Sequence, residues 1–267
     1  MLKNKRENET MIRSDTLKRL GQLAIDVILP PQTLFRPQRG ELNSGSAESW
    51  ADVRFLDEPC CTSCGFPFDF GAPDLAPNFA GDGSESCGRC AARSPAYDRV
   101  RAAFAYDDAS RSLVLRFKHG GETEGVAMFA LQMQRAGRRL LDGANVLMPV
   151  PLHRRRLIKR RFNQSALLAR ALSKRTGIAL DTEALFRKRH TPTQGGQSFV
   201  GRKRNVSGAF GISAKANLKG AHIILVDDVM TTGATLESCA RTLRRAGAKQ
   251  VDAIVLARVV KAATVPT

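Results

Sequence analysis

The segment that most restricts the fold is Ile223-Ile224-Leu225-Val226-Asp227-Asp228-Val229-Met230-Thr231-Thr232-Gly233-Ala234-Thr235. Four consecutive apolar residues leave no polar side for solvent, so they belong to a strand buried on both faces, the habit of parallel sheets. Two adjacent carboxylates close the run, and a turn of small and hydroxyl-bearing residues leads into a helical pattern over 236–246. At the carboxyl end of a parallel strand, such a turn points successive backbone N–H groups and threonine hydroxyls into one concavity, backed by the positive end of the next helix. That arrangement suits a monophosphate. Gly233 permits close backbone approach, while Asp227 and Asp228 stand where they accept hydrogen bonds from the vicinal hydroxyls of an attached ribose. The carboxylates repel phosphate, so they are expected to face the sugar. The plain alternative is a buried strand and a helix cap with no ligand.

The same texture recurs through the second part of the chain. After Pro95, residues 102–106, 146–150, 223–226 and 251–256 read as strands, and residues 110–118, 126–141, 165–175 and 236–246 read as helices. Strands separated by helix-length segments imply right-handed crossovers and a mostly parallel sheet covered on both faces, hence an α/β fold. Before Pro95 the pattern differs. Leu17, Leu20, Leu23, Ala24, Val27 and Ile28 recur at helical spacing behind a cap at Ser14 or Asp15, and Pro30-Pro31 stops them. Residues 31–83 are rich in Pro, Gly, Ser and Asp with little periodicity, so this stretch needs an external staple to hold a shape.

That staple is written in cysteine. Cys61-x-x-Cys64 and Cys87-x-x-Cys90 are two knuckles with 22 residues between them. Two such turns bring four thiolates to one tetrahedral Zn²⁺, and in a segment so poor in apolar residues metal ligation supplies much of the folding free energy. A redox dithiol and unligated cysteines are the competing readings. Cys60 is a neighbouring thiol able to substitute for Cys61, and Cys239 reads as a packed residue on the helix after the phosphate turn.

Charge narrows the ligand class without choosing it. Lysine and arginine number 42 against 25 acids, a formal net charge of +17, which predicts attraction to nucleic acid, phosphorylated small molecules or anionic lipid. Residues 152–161 hold six cations and residues 187–204 another six, with no acid in either stretch. Such runs are also what a solvated face looks like, and diphosphate binding and nucleic-acid contact are the functional alternatives. No stretch approaches the roughly 18 uninterrupted apolar residues of a membrane-spanning helix, and no secretory leader pattern opens the chain, so a cytoplasmic protein is expected.

With these residues in view, the run 223–235 resembles the PRPP-binding signature of type I phosphoribosyltransferases. The resemblance implies that Asp227 and Asp228 hold the ribose 2′ and 3′ hydroxyls. It places the 5′-phosphate on the turn of Thr231, Thr232, Gly233, Ala234 and Thr235, with Val229 and Met230 inside the signature. Mg²⁺ would be carried mainly by pyrophosphate oxygens, ribose hydroxyls and water. A closer resemblance covers nearly the whole chain. Pro149-Val150-Pro151-Leu152, Arg161-Phe162-Asn163-Gln164, Thr191-Pro192-Thr193-Gln194, Arg202 with Asn205-Val206, Gly208-Ala209-Phe210 and the signature occur in the order and spacing of the ComF family, which is associated with DNA uptake in natural competence.

The family fold implies a pyrophosphate loop after the strand ending near Pro149, drawing on Pro151, Leu152, His153, Arg154 and Arg161, with a mobile hood near 187–205 that contains Arg202. Some purine-salvage relatives place a carboxylate three residues after the second ribose acid, where this chain has Thr231, so purine salvage by that route is not expected. Relatives often carry a double zinc ribbon. The first cysteine quartet is absent here, so one structural zinc on Cys61, Cys64, Cys87 and Cys90 is expected, with residues 31–57 poorly ordered or held by packing of Phe35, Trp50 and Phe55.

The resulting expectation has three parts: a tail and amphipathic helix over 1–30, a zinc-ribbon region over 31–94 with a degenerate first half, and a phosphoribosyltransferase-like domain over 95–267. Its parallel sheet is of the type I phosphoribosyltransferase kind. The function this implies is a PRPP-binding protein of competence that handles single-stranded DNA, with competence machinery proteins as partners. Two alternatives stand beside it: a phosphoribosyltransferase of nucleotide or amine metabolism, and a nucleic-acid-binding module with a vestigial PRPP site.

Overall fold

The buried runs of the sequence pair side by side. A computed structural model of the chain describes residues 50, 52–68, 77–79, 85–119, 124–152, 162–189 and 208–260. In chain order the elements are β1 (Pro77–Phe79), β2 (Glu85–Cys87), α1 (Gly88–Ala92), β3 (Val100–Ala105), α2 (Asp108–His119), α3 (Glu124–Ala136), α4 (Arg138–Leu141), β4 (Val146–Pro149), α5 (Gln164–Thr176), β5 (Ala179–Leu180), β6 (Leu185–Arg187), β7 (Phe210–Ile212), β8 (His222–Met230), α6 (Ala234–Arg245) and β9 (Gln250–Arg258). Five of the strands form a parallel sheet in the order β3-β9-β8-β4-β5. The expected helix within 1–30, Phe35 with the rest of 31–49, and His153, Arg154, Arg161 and Arg202 lie outside the described residues.

The order of the strands follows from burial. β8 and β9 carry the longest apolar runs and occupy interior positions, with Ile223, Ile224, Leu225 and Val226 fully buried and Val251 through Ala257 buried without interruption. Alternate residues feed opposite faces. Met148, Ile223, Leu225, Val251, Ala253 and Val255 point into one apolar cluster, and Leu147, Ile224, Val226, Ile254 and Leu256 into the other. The second cluster is closed by α2, α3 and α5 through Phe117, Phe129, Met133, Leu168 and Leu172. The first is closed by α6, through Leu236, Cys239 and Leu243, and by the cysteine knuckles themselves. A parallel sheet needs cover on both faces. Here the knuckles do on one flank what a helix does elsewhere.

Their contact with the sheet is close. Gly65 sits at φ +66°, and a side-chain carbon there would meet the carbonyl oxygen of Val100 at 2.4 Å, so the turn tolerates only glycine. The Val100 N–H donates to Ser63 O at 2.7 Å, and the Cys61 N–H to Phe66 O at 2.8 Å.

Two elements differ from expectation. The single helix over 126–141 is interrupted at Gly137, where a side-chain carbon would meet Ile254 Cδ1 at 2.2 Å, so α3 ends against β9 and α4 restarts. The strand expected over 223–226 runs to Met230, because Asp227, Val229 and Met230 keep parallel pairing with Val255, Ala257 and Arg258. Trp50 and Phe55 do pack: their rings stack at 6.3 Å, and Trp50 meets Phe104 edge-on at 6.2 Å.

Candidate functional site

Three separated motifs meet at the carboxyl ends of β4 and β8. Val150, just after β4, donates its N–H to Val226 O at 2.9 Å, which fixes Pro151 and Leu152 beside the end of β8. Asn163 caps α5: its side-chain oxygen accepts from the Ser165 N–H at 3.2 Å, while its Nδ2 donates to Val150 O at 3.2 Å. Ser165 Oγ then donates to Asp227 Oδ1 at 2.8 Å. The helix start therefore positions both the loop after β4 and the first aspartate.

The two acids are held differently. Asp227 Oδ1 also accepts from the Asp228 N–H at 2.9 Å, and Asp228 Oδ1 accepts from the Val229 N–H at 2.7 Å. Both side chains are half-buried. Each carboxylate thus has one oxygen held by donors of the fold itself, which sets its orientation on β8.

Beyond Met230 the chain turns through Thr231 and Thr232 into α6. Gly233 adopts φ +77°, and a side-chain carbon there would lie 2.7 Å from Met230 Cε and 3.2 Å from the Tyr97 hydroxyl. The Ala234 N–H reaches Thr232 Oγ1 only at 3.4 Å, a weak local bond at the positive end of a twelve-residue helix. One turn on, Glu237 Oε2 accepts from the Ala96 N–H at 2.7 Å and joins α6 to the segment before β3. A cleft of about 100 Å³, lined by Cys64, Cys90, Tyr97, Thr232, Gly233 and Ala234, separates the turn from the knuckles. Burial pushes the Tyr97 phenol well above its ordinary range, so it remains a neutral hydroxyl.

The four knuckle cysteines converge. The Sγ atoms of Cys61, Cys64, Cys87 and Cys90 all lie within 4.8 Å of one another, and all four residues are buried. Cys60 is not among them; its backbone bridges Pro67 instead. Four sulfurs on a tetrahedral zinc at about 2.3 Å stand about 3.8 Å apart, and Cys64 Sγ lies 3.8 Å from Cys87 Sγ. The donor set and its span thus fit a closed four-thiolate metal site. Hydrogen bonds from Cys64, then from Cys87 and Cys90, hold the Cys61 thiol far below the usual thiol range, and the Cys87 N–H donates to Cys61 Sγ at 3.3 Å. Cys239, by contrast, is fully buried in α6, and desolvation raises it well above the ordinary thiol value.

A family model described as phosphoribosyl transferase domain matches residues 163–265. The chain is 35% identical over 203 residues to DNA utilization protein YhgH of Salmonella typhi, covering 74% of this chain and 83% of that one. The chain belongs to the ComF family. Other members include Competence protein F of Haemophilus influenzae, 29% identical over 75% of this chain and 85% of that one, and Competence protein ComFC of Bacillus subtilis, 31% identical over 59% and 63%. Among solved structures, the purine phosphoribosyltransferase of Pyrococcus horikoshii is 21% identical over 54% of this chain and 78% of that chain, with a TM-score of 0.34.

The parallel sheet, with its α/β crossovers, carries the matched phosphoribosyl transferase domain, and the run 223–235 sits on β8, the turn after it and the start of α6. Of the residues expected at the site, Pro151, Leu152 and Asp227 through Thr235 lie around the ends of β4 and β8. Sequence reasoning missed Ser165, Tyr97 and Arg258. Ser165 follows the Asn163-Gln164 motif directly and was legible as a helix-start hydroxyl. The other two carried no local pattern.

Proposed function

We propose that this ComF-family chain binds PRPP at the end of β8. Asp227 and Asp228 accept the ribose hydroxyls, and the backbone and hydroxyls of Thr231, Thr232, Gly233, Ala234 and Thr235 take the 5′-phosphate. Pro151 and Leu152 open the loop that would receive the diphosphate, with His153, Arg154, Arg161 and Arg202 as its cationic complement and Mg²⁺ carried on the ligand. The observation that carries this reading is the convergence of Asn163, Ser165 and Asp227, which fixes the orientation of the first acid beside the loop that follows β4.

The four-cysteine site holds structural zinc on this reading, and the chain divides into a tail over 1–30, a zinc-ribbon region over 31–94 and the phosphoribosyltransferase-like domain over 95–267. The names of the family relatives, together with the basic stretches over 152–161 and 187–204, support a role in competence and the handling of incoming single-stranded DNA in the cytoplasm. Among the described residues no helix is long and apolar enough to cross a membrane.

Calorimetric titration of the zinc-loaded protein with PRPP and Mg²⁺ tests the site. Binding that disappears in Asp227→Ala/Asp228→Ala, with zinc content unchanged, supports it. Equal affinity in the double variant overturns it. Adding a short single-stranded oligonucleotide tests the second half, since phosphate contacts make that binding fall steeply with salt.

A further inference from the structure

Arg258 ends β9, and its side chain is fully buried, with 1% of the residue exposed. The guanidinium lies over the Phe66 ring at 5.4 Å. Its Nη1 donates to the backbone oxygen of Cys64 and lies 3.4 Å from Met230 Sδ, its Nη2 donates to Cys64 Sγ at 3.5 Å, and its Nε has no hydrogen-bond partner. Among the described residues no carboxylate pairs with it. A buried cation without an anion is strongly unfavourable, and proteins keep such groups only when a counter-charge is supplied. The chain has such a counter-charge beside Arg258 in one circumstance: four thiolates around a divalent metal carry two net negative charges, and one of those sulfurs is already its hydrogen-bond partner.

We propose that Arg258 is the counter-ion of the four-cysteine metal centre and couples that centre to the sugar-phosphate turn. The first half depends only on the metal site. Donation to a ligating sulfur and compensation of the centre's charge both stabilise the loaded state, the role that groups just outside a metal's ligands play. The second half rests on the PRPP reading above. Met230 is the last residue of β8, is buried, and its Cε lies under Gly233 at the turn, while its Sδ faces the Arg258 guanidinium. Its backbone oxygen also accepts from the Val259 N–H at 2.9 Å, directly after Arg258. Metal occupancy therefore fixes Arg258, and Arg258 fixes the floor of the turn. Coupling of this kind is reciprocal: what zinc does for PRPP affinity, PRPP does for zinc affinity.

The test measures zinc affinity of the full chain by competition with a colorimetric chelator, in the parent, Arg258→Lys and Arg258→Gln, with folding of each loaded protein checked by circular dichroism. Glutamine keeps a donor for the Cys64 carbonyl and removes the charge; lysine keeps the charge. The expected result is a loss of about 10- to 100-fold in zinc affinity for R258Q, with R258K within about threefold of the parent. Cobalt substitution gives a second readout, a shift of the sulfur-to-metal charge-transfer band in R258Q alone. Equal affinities and equal bands in all three proteins overturn the counter-ion role.

In the second arm, PRPP with Mg²⁺ is expected to slow zinc transfer to the chelator by at least about fivefold in the parent and not in R258Q. If calorimetry shows PRPP bound but zinc transfer unchanged, the coupling is overturned while the binding site stands. If PRPP does not bind the parent at all, the site reading and the coupling both fail, and the chelator comparison still decides the metal half on its own.

Discussion

Ser165 Oγ donates to Asp227 Oδ1 at 2.8 Å, across 62 residues of sequence. The bond links the first turn of α5 to the end of β8, and it is charge-assisted, so it fixes the acid's orientation more firmly than a neutral pair would. Ser165 is 4% exposed and bonds to no sugar itself on the proposed reading; it acts through Asp227. Ser165→Ala is expected to weaken PRPP binding about tenfold, equivalent to about 1.4 kcal/mol, while zinc content and the thermal midpoint stay near the parent values. Parallel titration of Ser165→Thr, which restores a hydroxyl, separates orientation of Asp227 from mere packing: recovery of affinity is expected.

Gly233 is the second point at which the site is set by the backbone. Its φ of +77° disfavours any side chain, and a Cβ would collide with Met230 Cε at 2.7 Å. Gly233→Ala therefore adds backbone strain of about 1–2 kcal/mol to a displacement of Met230, and the displacement disturbs the floor of the turn. Loss of measurable PRPP binding is expected, with a fall in stability of about 2 kcal/mol by urea denaturation. Binding at parental affinity would show that the turn does not hold the phosphate.

The large features of this fold were legible because they are written as runs. Val146 to Val150, Ile223 to Val226 and Ala253 to Leu256 are apolar stretches that only a strand buried on both faces accommodates. β5, β6 and β7 are two or three residues long, too short for a period, and were not expected. The extension of β8 through Asp227 and Asp228 was hidden because strand pairing there is set by β9, not by the hydropathy of the acids. The cysteine knuckles declared themselves by spacing, whereas the choice of Cys61 over Cys60 needed geometry. Arg258 was invisible for a different reason: a single arginine at the end of an apolar strand reads as a solvated terminus, and only the packing of the knuckles over it makes it buried.

Asp252 shows how the sheet tolerates a second buried charge. It is fully buried at the lower end of β9 and accepts from Arg99 Nη2 at 2.8 Å and from Gln250 Nε2 at 2.9 Å, with His222 Nε2 at 3.0 Å. The hydrogen bond that the Arg99 guanidinium donates to Asp252 in turn raises it above its ordinary value. Removing the carboxylate leaves Arg99 and Gln250 without their acceptor beside β8 and β9. Asp252→Ala is expected to cost about 3–5 kcal/mol, measured by chemical denaturation of the zinc-loaded protein. A loss below 1 kcal/mol would mean that water replaces the carboxylate freely.

Alkaline pH should destabilise the fold from a defined point. Burial raises both Cys239 and Tyr97 above their ordinary values of 9.0 and 10.0. In the unfolded chain each loses its proton near its ordinary value, while in the folded chain each keeps it, so above that pH the unfolded state binds fewer protons and stability falls. Their contribution is fully present below pH 9 and declines above it, first through Cys239 and then through Tyr97. Denaturation midpoints taken from pH 7 to pH 11 should be level up to about 9 and then drop. In Cys239→Ala the drop just above pH 9 should be shallower, the half-buried Cys60 thiol, also raised by burial, supplying the remainder, and an unchanged drop in that variant would remove Cys239 from the account.

Metal removal is the most far-reaching perturbation, because the knuckles cover part of the sheet. Cys61, Cys64, Cys87, Cys90, Leu56 and Phe66 belong to the same apolar cluster as Met148, Leu225, Val255 and Met230, so the ribbon cannot loosen without uncovering β3 and β9 on that face. Backbone bonds such as Val100 N–H to Ser63 O and Leu56 N–H to Ala103 O tie this region to β3, but they do not replace the link between the two knuckles, and the Arg135–Asp57 and Arg139–Glu58 pairs to α3 and α4 are surface pairs with little net effect. Chelation should therefore lower the thermal midpoint by about 10 °C or more, each kcal/mol corresponding to about 2–4 °C in a chain of this size. It should also raise binding of a hydrophobic dye, as an uncovered sheet face requires. The stacked pair Trp50 and Phe55 supplies a control, since it packs on the opposite cluster against Phe104 and Phe129. The fluorescence of Trp50, the chain's single tryptophan, should change little on chelation. A large red shift would show that metal loss unfolds both faces together instead of opening one.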